Sequence, residues 1–449
     1  MTARSKITSC FITHCQSSYI HRGVSSLKPH LIKLPHHIAS FIELPSVCLN
    51  CFVLAADRSL LSTPLKPKTI NQLETKLTVV PPASEPPFLR QPTMMALLLP
   101  GHNEELIIAT TIQSAIAAGQ DVRDIFVVND ASTDGTRKIA TALLGKQNVL
   151  NVRRSGKALA VKKAIKKFNI ERDYRWLHVA DADSVFSADY FYIYRAHLSD
   201  EYVVAIGFVQ SLRGNWISNY RAFSYTYGQH VFRRVQSALG MVSVFPGPVT
   251  SFRTDILSQL DINGHNVTED FDITLQVHRK RLGKMLYIPK AINYTQDPQT
   301  FHDFCKQSMR WYRGFFQGIQ EYQIGLHRQR IDIGIGFQLL QSAFFLVQIL
   351  VILPTVMLLT HRWLEIPVAL AIDFIFTGIL TLGSALAIKR WALIGVLPYF
   401  YFLRIAEIVM YFTAFIEILV LKRTTSGLKG WATEGRRYKI NAPALQDIM

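Results

Sequence analysis

Six short polar motifs interrupt the apolar runs of this 449-residue chain, and their side chains are of the kinds that handle a phosphorylated ligand. Val179-Ala-Asp181-Ala-Asp183-Ser184 sets two carboxylates two residues apart behind an apolar stretch. In a turn, that spacing lets both converge on one hard cation, Mg²⁺ or Mn²⁺, of the kind that bridges to diphosphate oxygens. Ser155-Gly156-Lys157-Ala158 opens a helical stretch; its glycine admits a ligand to the backbone, while the helix N-terminus and Lys157 favour a phosphate. Val127-Val-Asn-Asp130 ends a strand in a carboxylate. Capping accounts for Thr133 and Asp134 but not for Asp130, which stands where a base or ribose could be read. In Val267-Thr268-Glu269-Asp270, Asp270 could take a proton from a hydroxyl. Thr268 capping a helix, with the two acids at its positive end, explains the same residues structurally. Gln307-Ser-Met-Arg310-Trp311 joins a guanidinium fork for phosphate oxygens to a flat ring for a sugar. Pro100-Gly-His-Asn103-Glu104-Glu105 is, alone, a polar loop after a strand.

The elements that must position these groups read as an α/β domain starting at Met94. Strands are expected at 94–99, 124–129, 148–152, 176–180 and 203–208. Helices are expected at 104–118, from about 133, and at 157–168. The motifs fall at the carboxyl ends of these strands, where ligands bind in open parallel sheets. Ahead of the domain, residues 1–93 form a poorly structured region. Its segment 38–56 is moderately apolar and could lie on or cross a membrane, and the proline-rich stretch 57–93 reads as a linker.

Behind the domain (94–330) the character changes. Phe337–Thr360 has no formal charge and Ile366–Ile388 only Asp373, so each is long enough to span a bilayer as a helix. Ala392–Leu421 carries Pro398, Arg404, Glu407 and Glu417 and could be one span or a broken pair. Arg404 and Glu407 could share a helix face, as a structural pair or along a wet path. Transmembrane helices are therefore assigned to 331–421 and a basic tail to 422–449. The positive-inside rule pulls that tail toward the cytoplasm, but span parity leaves its side open.

With 49% hydrophobic residues and a net charge of +17, anionic lipid is the favoured partner for the basic surface. No motif for nucleic acid accompanies the charge. Five scattered cysteines argue against a disulfide framework, and Cys48-Leu-Asn-Cys51 has no second pair to complete a zinc site.

Taken in order, the Asp-Ala-Asp, Thr-Glu-Asp and Gln-x-x-Arg-Trp motifs followed by apolar helices resemble the processive membrane branch of the family 2 glycosyltransferases. That branch includes the cellulose, chitin, hyaluronan and poly-N-acetylglucosamine synthases, and the resemblance covers roughly Leu97–Trp311. It implies a GT-A, Rossmann-like catalytic domain plus C-terminal transmembrane helices. It also implies a UDP-sugar donor, a Mg²⁺ or Mn²⁺ cofactor, and inverting transfer to a polysaccharide. Transfer of a single sugar to a lipid acceptor is the alternative, and a catalytically silent membrane scaffold is the rival of another class. Pro100, Asn103, Glu104, Asp130, Lys157 and Asp181 would hold the nucleotide sugar, and Asp183 the metal. Asp270 would be the catalytic base, with Gln307, Arg310 and Trp311 serving diphosphate and acceptor. Phe245-Pro-Gly247-Pro248 resembles the loop before the acceptor site. Trp431-Ala-Thr433 with Arg436 or Arg437 resembles a gating element. A multi-pass plasma-membrane location with a cytoplasmic catalytic domain follows, with room for accessory subunits. The chain departs from the pattern at His102, where tyrosine is usual, and at Ser308, where arginine is common.

Overall fold

Alternating short apolar runs and amphipathic stretches give the first part of the chain its strands and helices. The computed structural model describes residues 93–326, 329–347, 351, 353–360, 365–423 and 438–439, all within one compact unit spanning 74–449. The segment 38–56, nearly all of the 57–93 linker, the Cys48–Cys51 pair and the residues resembling a gating element lie outside the described residues.

In chain order the elements are β1 (Thr93–Gly101), α1 (Ile108–Ala117), β2 (Ile125–Asp130), α2 (Thr136–Leu144), β3 (Val149–Val152), α3 (Lys157–Lys167), α4 (Ile170–Asp173), β4 (Tyr174–Val179) and β5 (Val185–Phe186). There follow α5 (Tyr190–His197), β6 (Tyr202–Ser211), α6 (Trp216–Tyr227), α7 (Arg234–Ala238), β7 (Thr250–Arg253), α8 (Glu269–Arg279), β8 (Lys284–Thr295) and α9 (Phe301–Glu321). The C-terminal helices are α10 (Arg330–Val347), α11 (Leu353–Thr360), α12 (Glu365–Ala387) and α13 (Leu397–Phe415).

The eight strands run in the order β3-β2-β1-β4-β7-β6-β8-β5. The first half is parallel, as the sequence indicates. The sheet as a whole is mixed: β7 runs antiparallel to both β4 and β6, and β5 antiparallel to β8. The chain leaves β1 toward β2 and β3, then returns to the other side of β1 for β4. The topological switch point therefore lies between β1 and β4, where such sheets bind ligands. The 101–105 loop and the 180–184 turn flank it, and Thr111 of α1 donates a 2.8 Å hydrogen bond to the carbonyl of Ala182.

Apolar residues from both faces of the sheet form two core layers. One holds Leu98, Val128, Val161, Leu177, Ile206 and Phe252. The other holds Leu97, Ile112, Val127, Trp176, Phe186 and Tyr190. Within the second face His178 is fully buried, its Nδ1 2.7 Å from Ser251 Oγ and its Nε2 3.2 Å from Tyr190 Oη.

The uncharged run 337–360 is helical where it is described, in α10 and, from Leu353, in α11. Arg404 and Glu407, both on α13, part company: Arg404 lies 3.5 Å from Asp373 of α12, whereas Glu407 turns inward to α6. The 366–388 stretch is α12, and among the described residues one helix, 370–387, is long and apolar enough to cross a membrane. The tail returns to the α/β domain at Tyr438, whose backbone N–H and C=O both meet the buried Gln296 side chain.

Burial pushes the His178 imidazole down to about 3 from 6.5. The unfolded chain then binds the proton first, so the stability this group contributes is present above pH 6.5 and lost as pH falls toward 3. Thermal unfolding in detergent should therefore show a loss on the order of 2 kcal/mol between pH 7 and 5. His178→Leu should flatten that limb, and an unchanged slope in the variant would remove the account.

Candidate functional site

Two loops at the tips of β1 and β2 are joined by crossed hydrogen bonds. Asn103 adopts a left-handed backbone (φ 57°) that turns its side chain back. Its N–H donates to Ser132 Oγ at 2.9 Å and its Oδ1 accepts from the Thr133 N–H at 2.8 Å. Glu104 N–H donates to Thr136 Oγ1 at 2.7 Å, Glu105 N–H to Asp134 at 3.1 Å, and Gly135 N–H to Glu105 at 2.7 Å. Asp134 accepts from Thr136, as a residue ahead of a helix should, while Thr133 serves Asn103 instead. Pro100 is buried at the end of β1, in register with Val128.

Asp130 is fully buried. Its two oxygens accept the backbone N–H groups of Ser155 (2.8 Å) and Gly156 (3.0 Å), and Arg154 lies 3.5 Å away. The carboxylate that the sequence offers to a ligand thus shapes the loop that starts α3. Gly156 there has φ 84°, a conformation that favours glycine.

Lys157, the next residue, joins the other motifs. Its Nζ lies 2.7 Å from Asp181 and 2.9 Å from Glu269. Burial alone would lower its pKa, but the two carboxylates more than reverse this and hold it raised. Gly247 makes room for the ammonium: a Cβ at that position would stand 2.8 Å from Nζ. The sequence reading assigned Glu269 only to the helix end; it is an ion-pair partner at the centre of the site, held ionised by Lys157 and then Arg310 against the opposing effect of burial. Asp270, beside it, is pushed up to about 6 by burial and by Glu269, against the pull of Lys157 and Arg310. Thr268 does not cap α8 through its side chain; its hydroxyl lies 3.3 Å from Asn266 Oδ1 instead.

Arg310 projects from α9 close enough to act on both Glu269 and Asp270, and its buried Nε finds no hydrogen-bond partner among the described residues. A small cavity of about 50 Å³ adjoins the cluster, with Lys157, Thr250, Glu269 and Asp270 as its polar lining. Gln307 and Trp311 face another way. Both contact Arg221 of α6, which lies 3.4 Å from Gln307 Oε1, 2.6 Å from Ser308 Oγ and 3.3 Å from Glu407. Its guanidinium sits between the rings of Phe304 (4.4 Å) and Trp311 (4.6 Å). No motif flagged Arg221. The only signal was Asn215 ahead of an aromatic-rich stretch, which becomes the N-cap of α6.

Asp181 and Asp183 occupy one turn after β4, Asp183 being buried. Among the described residues no three His, Cys, Asp or Glu gather as a metal cage. A cation here would take one or two carboxylates from the protein and the rest of its shell from ligand oxygens, an arrangement usual for Mg²⁺. The donor set fits that mode.

Comparisons with known proteins agree with the motif order. The sequence profile described as glycosyl transferase family group 2 matches residues 176–419, more than half of the chain. A poly-β-1,6-N-acetyl-D-glucosamine synthase of Staphylococcus epidermidis is 24% identical over 228 residues, 49% of this chain and 54% of the relative. Its counterpart in Staphylococcus aureus strain COL is 22% identical over 227 residues with the same coverage. The chain thus spans about half the length of the curated relatives it matches. Among solved structures, a mannosyltransferase of Pyrobaculum calidifontis in complex with GDP-Man and Mn²⁺ covers 72% of this chain and 88% of its own, at 16% identity and a TM-score of 0.43.

Two backbone N–H groups, that of Gly156 buried and that of Ser155 half-buried, depend on Asp130. Leaving both without an acceptor costs on the order of 2–4 kcal/mol, so Asp130→Ala should lower unfolding stability by that amount. Asp130→Asn, which keeps one acceptor oxygen, should lose less. Equal stability of all three proteins in denaturant titrations would contradict the role of this carboxylate in the loop.

Proposed function

The chain belongs to glycosyl transferase family group 2, and from that premise we propose that it transfers a sugar from a UDP-sugar to a growing polysaccharide at the cytoplasmic face of a membrane. The observation that carries this reading is Lys157, which brings the Asp181 turn and the Glu269-Asp270 helix start to one point, within the field of Arg310. N-acetylglucosamine is the sugar best supported, because the relatives matched over half their length are named for its polymer.

A GT-A arrangement accounts for the roles. The loops at the β1–β4 switch point, with Pro100, Asn103 and Glu104, would border the nucleotide. Asp130 would contribute by holding the Ser155–Lys157 loop in place, and Lys157 and Asp181 would lie toward the diphosphate. A divalent cation held by Asp183 with Asp181 would neutralise charge on the departing diphosphate.

Asp270 would accept the proton of an acceptor hydroxyl while that oxygen bonds to the anomeric carbon. The bond from that carbon to the diphosphate oxygen breaks, so the single displacement inverts the centre. Arg310, its Nε without a partner among the described residues, would stabilise the negative charge that accumulates on the leaving group. Trp311, its far face backed by Arg221, would offer its ring to the acceptor sugar, with Gln307 beside it.

Membrane embedding is supported by the apolar surface of α12 and α13, where Leu370, Ile375, Ile379, Ile405 and Val409 are all more than half exposed. Bilayer hydrocarbon accommodates such side chains without cost. The docking of Tyr438 beside Gln296 supports a tail on the same side of the membrane as the catalytic domain.

The test is UDP release by the full chain in lipid, screened across UDP-sugars with Mg²⁺ or Mn²⁺, followed by sizing of the product. Long polymer is the expected outcome, and a product one sugar longer than a lipid acceptor would favour single transfer. Asp270→Asn should lower kcat by about 10²–10⁴-fold while donor affinity persists. Because the base must be ionised, kcat in the parent should fall as pH drops below about 6. Full turnover in Asp270→Asn would exclude this residue as the base.

A further inference from the structure

Helix α9 carries Arg310 and, one and two turns further along the same face, Gly314 and Gly318. Both glycines are buried, and both face α8, the helix that begins with Glu269 and Asp270. A Cβ at position 314 would fall inside van der Waals contact of Thr268, including its Cβ at 2.8 Å. A Cβ at 318 would stand 2.6 Å from the Phe271 ring and 3.1 Å from Leu275. Contacts below 3.0 Å are ones that real side chains do not make. Between the glycines, Gln317 accepts from the Val267 N–H at 3.3 Å and reaches the His265 carbonyl at 3.5 Å. The ring of Phe271 packs 5.4 Å from that of Phe315. Thus Thr268, immediately before the catalytic turn, seats in a notch cut by Gly314, and Phe271, immediately after it, in a second cut by Gly318.

We propose that Gly314 and Gly318 are positioning residues, which hold the start of α8 against α9 so that Asp270 and Arg310 face one donor sugar. The inference rests on the reading of Asp270 as the base. It differs from a plain packing role in what it requires. The Lys157–Asp181 end of the site is built on α3 and the turn after β4 and meets α8 through the Lys157–Glu269 pair, whereas the notch bears on Thr268 and Phe271, so nucleotide binding should survive a change that disturbs the base. Misplacing a catalytic group by about an ångström costs roughly 100-fold in rate. Asp270 is faced by Glu269 of its own helix, Lys157 of α3, Arg310 of α9 and Arg233 of the turn before α7. Lifting α8 from α9 would admit water to the carboxylate and weaken the burial that raises its pKa.

The test uses the full chain in lipid, comparing the parent with Gly314→Ala and the double variant Gly314→Ala/Thr268→Gly, which moves the notch to the opposite helix. A second pair, Gly318→Ala alone and with Phe271→Leu, repeats the comparison should the first single variant fail to accumulate. The readouts are kcat by UDP release, UDP affinity, and the pH of half-maximal kcat. Positioning requires kcat lowered at least tenfold in a single variant, UDP affinity within twofold of the parent, the acidic limb moved to lower pH, and recovery in the double variant. An active parent with an equally active Gly314→Ala overturns this inference alone. So does a loss of kcat matched by loss of UDP affinity, or one that the double variant leaves unrepaired. A parent that releases no UDP from any donor overturns the functional reading, and this inference with it.

Discussion

A buried ammonium between two carboxylates holds the site together. Lys157 bridges Asp181 at the end of β4 and Glu269 at the start of α8, two segments 88 residues apart in the chain. Glu269 keeps its charge against burial because of that ammonium, where an unpaired buried carboxylate would take up a proton instead. The same bridge sets the state of the next residue. With Glu269 held ionised by Lys157, its charge falls on Asp270 and combines with burial to keep that carboxyl's pKa raised. A strong ion pair thereby shifts the titration of the carboxyl beside it, which is how two adjacent acids come to differ.

The rest of the α/β domain can be understood as support for that bridge. Lys157 must emerge from a loop that is itself fixed, and Asp130 fixes it through the backbone of Ser155 and Gly156. Asp181 must stand at a strand tip next to the loop from β1, and the change of direction between β1 and β4 makes such a gap. The antiparallel β7 then closes the far side of β4 and brings the Gly247 loop against the lysine.

Much of this was legible in the residues. The strands of the parallel half are continuous apolar runs, and β1–β4 and β6 fall within a few residues of their expected positions. Strands β5, β7 and β8 were not foreseen. Thr250-Ser-Phe-Arg253 is short and mostly polar, and Lys284–Thr295 is interrupted by Pro289 and Lys290, so neither shows a clean two-residue period. The six motifs were visible, but their side chains divide between tasks that spacing does not reveal. Asn103 and Asp130 build loops, whereas Gln307 and Trp311 answer to Arg221, a residue with no motif of its own.

Helix α9 is where the site and the apolar helices become one mechanical object. Toward its N-terminal half, Gln307 and Ser308 contact Arg221, which pairs with Glu407 of α13, and Tyr220 donates to the same carboxylate at 2.7 Å. Two residues past Trp311, Arg313 grips Glu417 at 2.7 Å, where α13 continues as a π-helical turn at Ile416–Val420. The two acids are ten residues apart, about 15 Å along the chain at helical rise. A single pin would let two helices pivot, but two pins at that separation resist both rotation and sliding. Ion pairs shielded from water on one side retain more of their strength than exposed ones. Between the pins lie Arg310 and Trp311, so the residues that would meet leaving group and acceptor are carried on a segment of α9 tied on both sides to α13, on one side through Arg221 of α6. Their orientation is therefore set as much by α13 as by the sheet, and a displacement of that helix in its surroundings would reach the site directly.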